Sequence, residues 1–261
     1  MIGVFDSGIG GLSVLSLLCA ALPDADFLYY ADTARLPFGT RSPALIRRFA
    51  REAGRRFSSW GVDFLQVACG TVSALALDEI SAAAGCPAAG VIVPAAREVA
   101  AKGARRVLIL STEATAESRV FEKALAEEAP GTAALSLGCP LFVSLAECGF
   151  TAKNDPALLS LLGRTLAPGQ TFLPDAVLLG CTHFRLLSPA LSTLFPGVPI
   201  FDCGEAAVRA LIKTSAGRFK TGGGSLRIVV SDNPERFLRA AERVLRLPSG
   251  TVVEAVGEDD Y

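Results

Sequence analysis

The sequence predicts an α/β protein built from two similar open parallel-sheet halves, with the active site in the cleft between them. Three observations predict it. Short apolar strands alternate with helical stretches along the chain, the pattern of a parallel sheet covered by helices. Two early strands of the proposed halves end in polar pairs, Asp6-Ser7 and Ser111-Thr112. Roughly sixty to seventy residues after each, another apolar strand runs into a cysteine, in Cys69-Gly70-Thr71 and in Cys181-Thr182-His183.

Strands are expected at residues 2–5, 27–30, 64–67, 90–93, 107–110, 133–137, 176–179, 199–201 and 226–230, each a short apolar run. Residues 42–60 alternate basic and apolar side chains at helical spacing, and residues 232–247 open with a cap-like Asp-Asn-Pro-Glu start. The glycines at 222–224 read as a loop before the last parallel strand. On this pattern residues 1–93 and 202–261 form one half and residues 94–201 the other. The chain crosses between them near 93–101 and 199–202.

Composition narrows the function. The 261 residues are 51% apolar and 20% charged, the balance of a globular chain with a real core. A net charge of −1 offers no basic surface for nucleic acid or for an anionic membrane. The apolar run at 12–22 stops at Pro23 and Asp24, short of a bilayer span, and no basic segment precedes it as in a signal peptide. Residence in the cytoplasm is therefore expected, with the seven cysteines as reduced thiols. One histidine and no Cys-x-x-Cys pair leave no zinc spacing. There is no Walker A motif, and Ser13 stands where a dinucleotide-binding glycine loop needs its third small residue. No metal and no cofactor are expected.

The cysteines point to the chemistry. Free cysteines mostly pack, which is the reading for Cys19, Cys86, Cys139, Cys148 and Cys203. Cys69 and Cys181 differ, because each ends a buried strand at a glycine and a hydroxyl, on the sheet edge where ligands of open α/β sheets bind. Two thiols on opposite walls of a cleft suit removal of a proton from one face of a carbon and its return to the other. A thiolate, whose thiol has an ordinary pKa of about 8.5, is a base of suitable strength for this near neutral pH. Asp6 could manage the proton of one thiol and His183 that of the other.

At these motifs the chain resembles the aspartate/glutamate racemase family. The carriers are Gly3-Val4-Phe5-Asp6-Ser7-Gly8-Ile9-Gly10-Gly11-Leu12-Ser13, Asp32-Thr33-Ala34-Arg35-Leu36-Pro37-Phe38-Gly39 and Cys69-Gly70-Thr71 with Ser73-Ala74. Gly138-Cys139-Pro140-Leu141-Phe142-Val143, Leu179-Gly180-Cys181-Thr182-His183-Phe184 and Gly204-Glu205-Ala206-Ala207 complete them, in the family's order. The resemblance is strongest to the members that act on glutamate. It implies a two-base racemase without pyridoxal phosphate or metal. In it Cys69 takes the α-proton from the D-enantiomer, assisted by Asp6, and Cys181 takes it from the L-enantiomer, assisted by His183 and Glu147. Ser7, the backbone of Pro37, Phe38 and Gly39, Gly70, Thr71 and Thr182 would hold a small amino-acid substrate. The D-glutamate made would feed peptidoglycan. The resemblance is also compatible with a homodimer.

Departures from the family pattern bear on substrate. Gly70 stands where the family usually has Asn, removing a side-chain hydrogen bond to the substrate worth about 1.5–3 kcal/mol. Phe38 replaces the usual Tyr, which matters little if the backbone is the donor. Ser144, Cys148, Arg185 and Cys203 replace the more common Pro, Glu, Pro and Ser, and Arg185, next to His183, is placed to reshape the entrance. Two alternatives follow: a racemase for a different amino acid, and a member that has lost catalysis and acts by binding or regulation.

Overall fold

A strand covered on both faces reads as continuous apolar sequence, and the apolar runs of this chain become strands under that condition. The computed structural model describes residues 1–214, 219, 223–244 and 251–256. Its strands are β1 (Ile2–Asp6), β2 (Phe27–Ala31), β3 (Phe64–Val67), β4 (Ala88–Ala89) and β5 (Arg106–Ser111). They continue with β6 (Ala133–Gly138), β7 (Ala176–Leu179), β8 (Ile200–Asp202), β9 (Leu226–Val230) and β10 (Val253–Ala255). The helices are α1 (Leu12–Ala21), α2 (Pro43–Ser59), α3 (Gly70–Leu75), α4 (Leu77–Ala84), α5 (Ile92–Ala101) and α6 (Glu113–Ser118). After them come α7 (Val120–Glu128), α8 (Pro140–Glu147), α9 (Pro156–Phe172), α10 (Ser188–Leu194), α11 (Cys203–Thr214) and α12 (Pro234–Val244).

The strands make two parallel sheets, ordered β10-β9-β2-β1-β3-β4 and β6-β5-β7-β8. Within the first, Phe5 lies opposite Tyr30 on one side and Val67 on the other. Within the second, Leu110 lies opposite Leu137 and Leu179. The inner order β2-β1-β3-β4 thus repeats as β6-β5-β7-β8. In both copies the strand that leads into a cysteine is the immediate neighbour of the strand that ends in a polar pair.

Helices cover both faces of each sheet. Phe5, Tyr30 and Val67 pack against Phe57 and Ala53 of α2, with the Phe5 and Phe57 rings edge to face at 6.3 Å. Val4, Tyr29 and Val230, on the other face, meet Leu12 and Leu15 of α1 and Phe237 of α12. In the second sheet Leu108 and Leu179 face Leu162 and Leu166 of α9, while Ile109 and Leu178 face Ala95 of α5 and Phe121 of α7. Helix α11 is shared: Cys203, Ala206 and Ala207 join the α5 core, whereas Val208 and Leu211 join the α1 core. The apolar run at 12–22 becomes the short α1, and among the described residues no helix is long and apolar enough to cross a membrane.

The expected strands at 64–67, 176–179 and 226–230 appear with those bounds, and most others end within a residue of expectation. Two expectations are corrected. Residues 90–93 are not a strand: β4 lies just before them, and Ile92 opens α5. Ile92, Ala95, Ala96 and Val99 bury one helical face, and Pro94 sits in the first turn, where its missing N–H costs nothing. Nor is β9 the last parallel strand, since β10 adds beside it with Val253 opposite Ile228. Three residues are too few to show a strand's alternation. Gly223 and Gly224 are irregular, as the loop reading expects, while Gly222 and residues 245–247 of the expected last helix lie outside the described residues.

Candidate active site

Each wall of the site is a strand end followed by a turn. On the first wall β1 delivers Asp6 and Ser7 and β3 delivers Cys69, whose backbone N–H donates to the Phe5 carbonyl at 3.2 Å. On the second, β7 leads through Gly180, bonded to the Leu110 carbonyl at 2.7 Å, to Cys181, Thr182 and His183. The walls enclose one narrow cavity of about 280 Å³. Asp6, Ser7, Pro37, Phe38, Gly39, Cys69, Gly70, Thr71, Cys181, Thr182 and His183 all line it, so eleven of the twelve residues singled out from sequence come together. The twelfth, Glu147, does not line it. It stands behind His183, at the end of α8.

The Phe38 ring packs between Phe5 and Phe49, at centroid distances of 6.3 and 5.4 Å, so a tyrosine hydroxyl there would gain little. Leu36, Thr112 and Val143 also line the cavity and were missed from sequence. Thr112 had a signal, since it belongs to the second polar strand end; its hydroxyl meets that of Thr71 at 3.0 Å across the cleft. Arg185 does not line the cavity. It pairs with Glu205 and lies 3.9 Å from Asp202. Cys148 is exposed rather than packed, whereas Cys139 and Cys203 are buried.

Each thiol has its own polar neighbours. The Cys69 thiol reaches the Ser7 hydroxyl at 4.0 Å, and Ser7 lies 3.5 Å from Asp6 Oδ1. Asp6 also accepts from Gly8 N at 3.0 Å and, through Oδ2, from the Thr182 hydroxyl of the opposite wall at 2.9 Å. Cys181 Sγ lies 3.8 Å from His183 Nδ1, and His183 Nε2 lies 2.7 Å from Glu147 Oε1, which accepts from Ile9 N at 3.1 Å. The glycine loop after β1 makes room for this second set. A Cβ at Gly8 would come within 2.4 Å of Glu147 Oε1, and one at Gly10 within 2.6 Å of His183 Nδ1. Close approach of the opposite half is what these glycines provide.

The electrostatics are unequal. Burial, with Asp6 nearby, pushes the Cys69 thiol well up, so it holds its proton. Burial likewise raises Asp6, although the charge of His183 opposes it. Burial works against charge on His183, but its hydrogen bonds and charge contacts with Cys181 and Glu147 outweigh that and raise it well above the usual imidazole range. Glu147 is the mirror case: burial would raise it, and His183 holds it below the usual carboxylate range. One wall therefore keeps a proton on sulfur, and the other holds beside sulfur an imidazole whose charged form Cys181 and Glu147 favour. Among the described residues no cluster of His, Cys, Asp and Glu is arranged to hold a metal ion.

Comparison with known proteins follows the same lines. The Asp/Glu/Hydantoin racemase family model matches residues 11–211. A glutamate racemase of Thermus thermophilus is 38% identical over 258 residues, covering 98% of this chain and 94% of that protein. One of Geobacter metallireducens is 36% identical, covering 97% and 95%. Among solved structures, glutamate racemase from Francisella tularensis in complex with D-glutamate has a TM-score of 0.90 at 29% identity, covering 100% of this chain and 98% of that one. The Thermus thermophilus enzyme with beta-chloro-D-alanine has a TM-score of 0.84 at 36% identity, with the same coverage. With most of its length matched by the family model and two aligned relatives covering nearly all of it, this chain belongs to the Asp/Glu/Hydantoin racemase family.

Proposed function

We propose that this protein is a glutamate racemase that interconverts L- and D-glutamate by cofactor-independent proton transfer between Cys69 and Cys181, working in the cytoplasm to supply D-glutamate for peptidoglycan. The observation that carries the reading is one cavity lined by two thiols from two different sheets, each backed by its own acid–base partners. The relatives named glutamate racemase, and the relative solved with D-glutamate, support the choice of substrate.

In the D-to-L direction Cys69 takes the α-proton from one face and Cys181 returns a proton to the other; L-to-D reverses the roles. Ser7 and Asp6 manage the proton of Cys69, and His183 with Glu147 that of Cys181. The planar carbanion that forms between them spreads its charge into the α-carboxylate, so hydroxyl and N–H donors aimed at that group lower the barrier. Ser7, Gly70, Thr71 and Thr182 surround the α-amino and α-carboxylate groups, and the backbone of Pro37, Phe38 and Gly39 meets the side-chain carboxylate. Residues 1–93 with 202–261 carry the first wall and residues 94–201 the second.

A second reading, racemisation of a different amino acid, rests on Gly70. A Cβ there would lie 2.3 Å from the Gly180 carbonyl oxygen of the facing wall, so the family's usual Asn has no room in this arrangement. The deciding experiment is proton NMR of the purified protein with L-glutamate in D2O, read together with optical rotation. Loss of both the α-proton signal and the rotation is the expected result. Retention of both by folded protein sinks the glutamate assignment, and the same assay over a panel of amino acids tests the second reading.

A further inference from the structure

The two thiols differ in their connection to water. The Cys69 chain runs through Ser7 to Asp6, which is 0% exposed and whose Oδ2 is engaged by Thr182, so this chain ends inside the protein. The Cys181 chain runs outward, through His183 at 2% exposure to Glu147, whose side chain is 20% exposed. Glu147 lines a separate cavity of about 760 Å³, together with Ile9, Cys148, Asn233, Arg236 and Phe237. Cys148, Asn233 and Arg236 are exposed, so this second cavity opens to solvent. The charge of Arg236 acts on Glu147 from the same cavity.

We propose that the second cavity is a proton port: protons enter and leave Cys181 through His183 and Glu147 and meet water there, not in the substrate cavity. The proposal rests on the racemase reading above. After one L-to-D turnover Cys181 holds the proton taken from the α-carbon, and Cys69 has given its own away. Before the next L-substrate reacts, the Cys181 S–H bond breaks and its proton passes to Nδ1 of a His183 that is neutral and protonated on Nε2. The Nε2 proton of the imidazole passes to Glu147 Oε1, and Glu147 releases a proton to water in the second cavity. Cys69 regains one from water that enters the substrate cavity as product leaves, so one proton is lost and one gained. Arg236 lines the port together with two carboxylates, Asp232 and Glu147, and once the Glu147 side chain is removed a small carboxylate can stand in its place.

Chemical rescue tests this. Glu147→Ala is expected to lower turnover about a hundredfold, at the lower edge of what acid–base assistance contributes. Formate or acetate then restores much of the activity, saturably and without competing with glutamate. Rescue rises with the basicity of the added carboxylate, a trend that mere filling of space does not produce. Glu147→Gln, which leaves no room, is not rescued. Cys148→Trp plugs the port from an exposed position: it lowers kcat with KM unchanged, and it abolishes rescue when combined with Glu147→Ala. Absence of rescue in folded Glu147→Ala, rescue competitive with glutamate, or unchanged kcat in Cys148→Trp overturns the proposal. If Glu147→Ala does not fold, the Cys148→Trp result decides alone. An unsubstituted protein that exchanges no α-proton of glutamate fails earlier, and it removes the functional reading along with the port.

Discussion

On the proposed two-base mechanism Cys69 and Cys181 share a role, and single substitutions expose it. Cys69→Ser and Cys181→Ser are each expected to lower racemisation by about 10²–10⁴-fold, because a hydroxyl gives up its proton far less readily than a thiol and so supplies no anionic base. The loss in kcat/KM must be equal in both directions, since L- and D-glutamate have the same free energy. Polarimetry from each enantiomer checks this, and wild-type turnover by either variant ends the two-base account. Gly70→Asn forces a side chain against the Gly180 carbonyl. Overpacking of that kind costs about 1–3 kcal/mol, so catalytic efficiency is expected to drop by roughly five- to a hundredfold. A gain in glutamate turnover would show instead that the walls part to admit the amide. Asp202 gives a pH effect. It caps α11 by accepting from Glu205 N at 2.7 Å, and its Oδ2 has no hydrogen-bond partner among the described residues. Burial pushes its pKa up to about 6. A folded-state pKa above the unfolded one means stability that is present at low pH and lost as pH rises through about 6. Asp202→Asn keeps the cap and should flatten that part of the Tm profile; an unchanged slope between wild type and variant refutes the assignment. Most of the site was legible at this scale because its residues sit in short motifs at strand ends. Leu36 and Val143 were not, since an apolar residue that touches a cavity looks like any core residue in sequence.

Helices and strands were legible where they are long or fully buried, and less so where tertiary pairing defines them. The apolar run of β7 announces itself, but β4 has two residues and exists because β3 offers it an edge, while β10 exists because β9 does. No local pattern encodes such partners. The caps can be tested directly. Asp155 accepts from Ala157 N at 2.8 Å and Leu158 N at 3.1 Å, closing the start of α9, whose Leu158, Leu162 and Leu166 seal one face of the second sheet. Asp155→Ala is expected to cost about 1 kcal/mol of stability, seen as a lower denaturant midpoint with an unchanged slope. A midpoint equal to wild type would mean that packing alone holds the helix start.

On the proposed function, the cleft makes the whole molecule responsive to its ligand. A substrate held by both walls links the sheets, so D-glutamate at a hundred times its Kd should stabilise the fold by about 2.7 kcal/mol. For a chain of this length that is a rise in Tm of roughly 5–10 °C. Cys69→Ser should show the same rise, because binding does not need the base. No shift in either protein would place the ligand elsewhere. The repeated strand order has a further consequence, for inheritance. It gives residues matching addresses in the two halves: Cys69 corresponds to Cys181, Asp6 to Ser111, and Thr71 to His183. In a half-length protein that paired with its own copy, every change on one wall would appear on the other. A single chain holding both halves is released from that rule. The thiols are alike while their neighbours differ, a buried carboxylate on one wall and, on the other, an imidazole backed by the partly exposed Glu147.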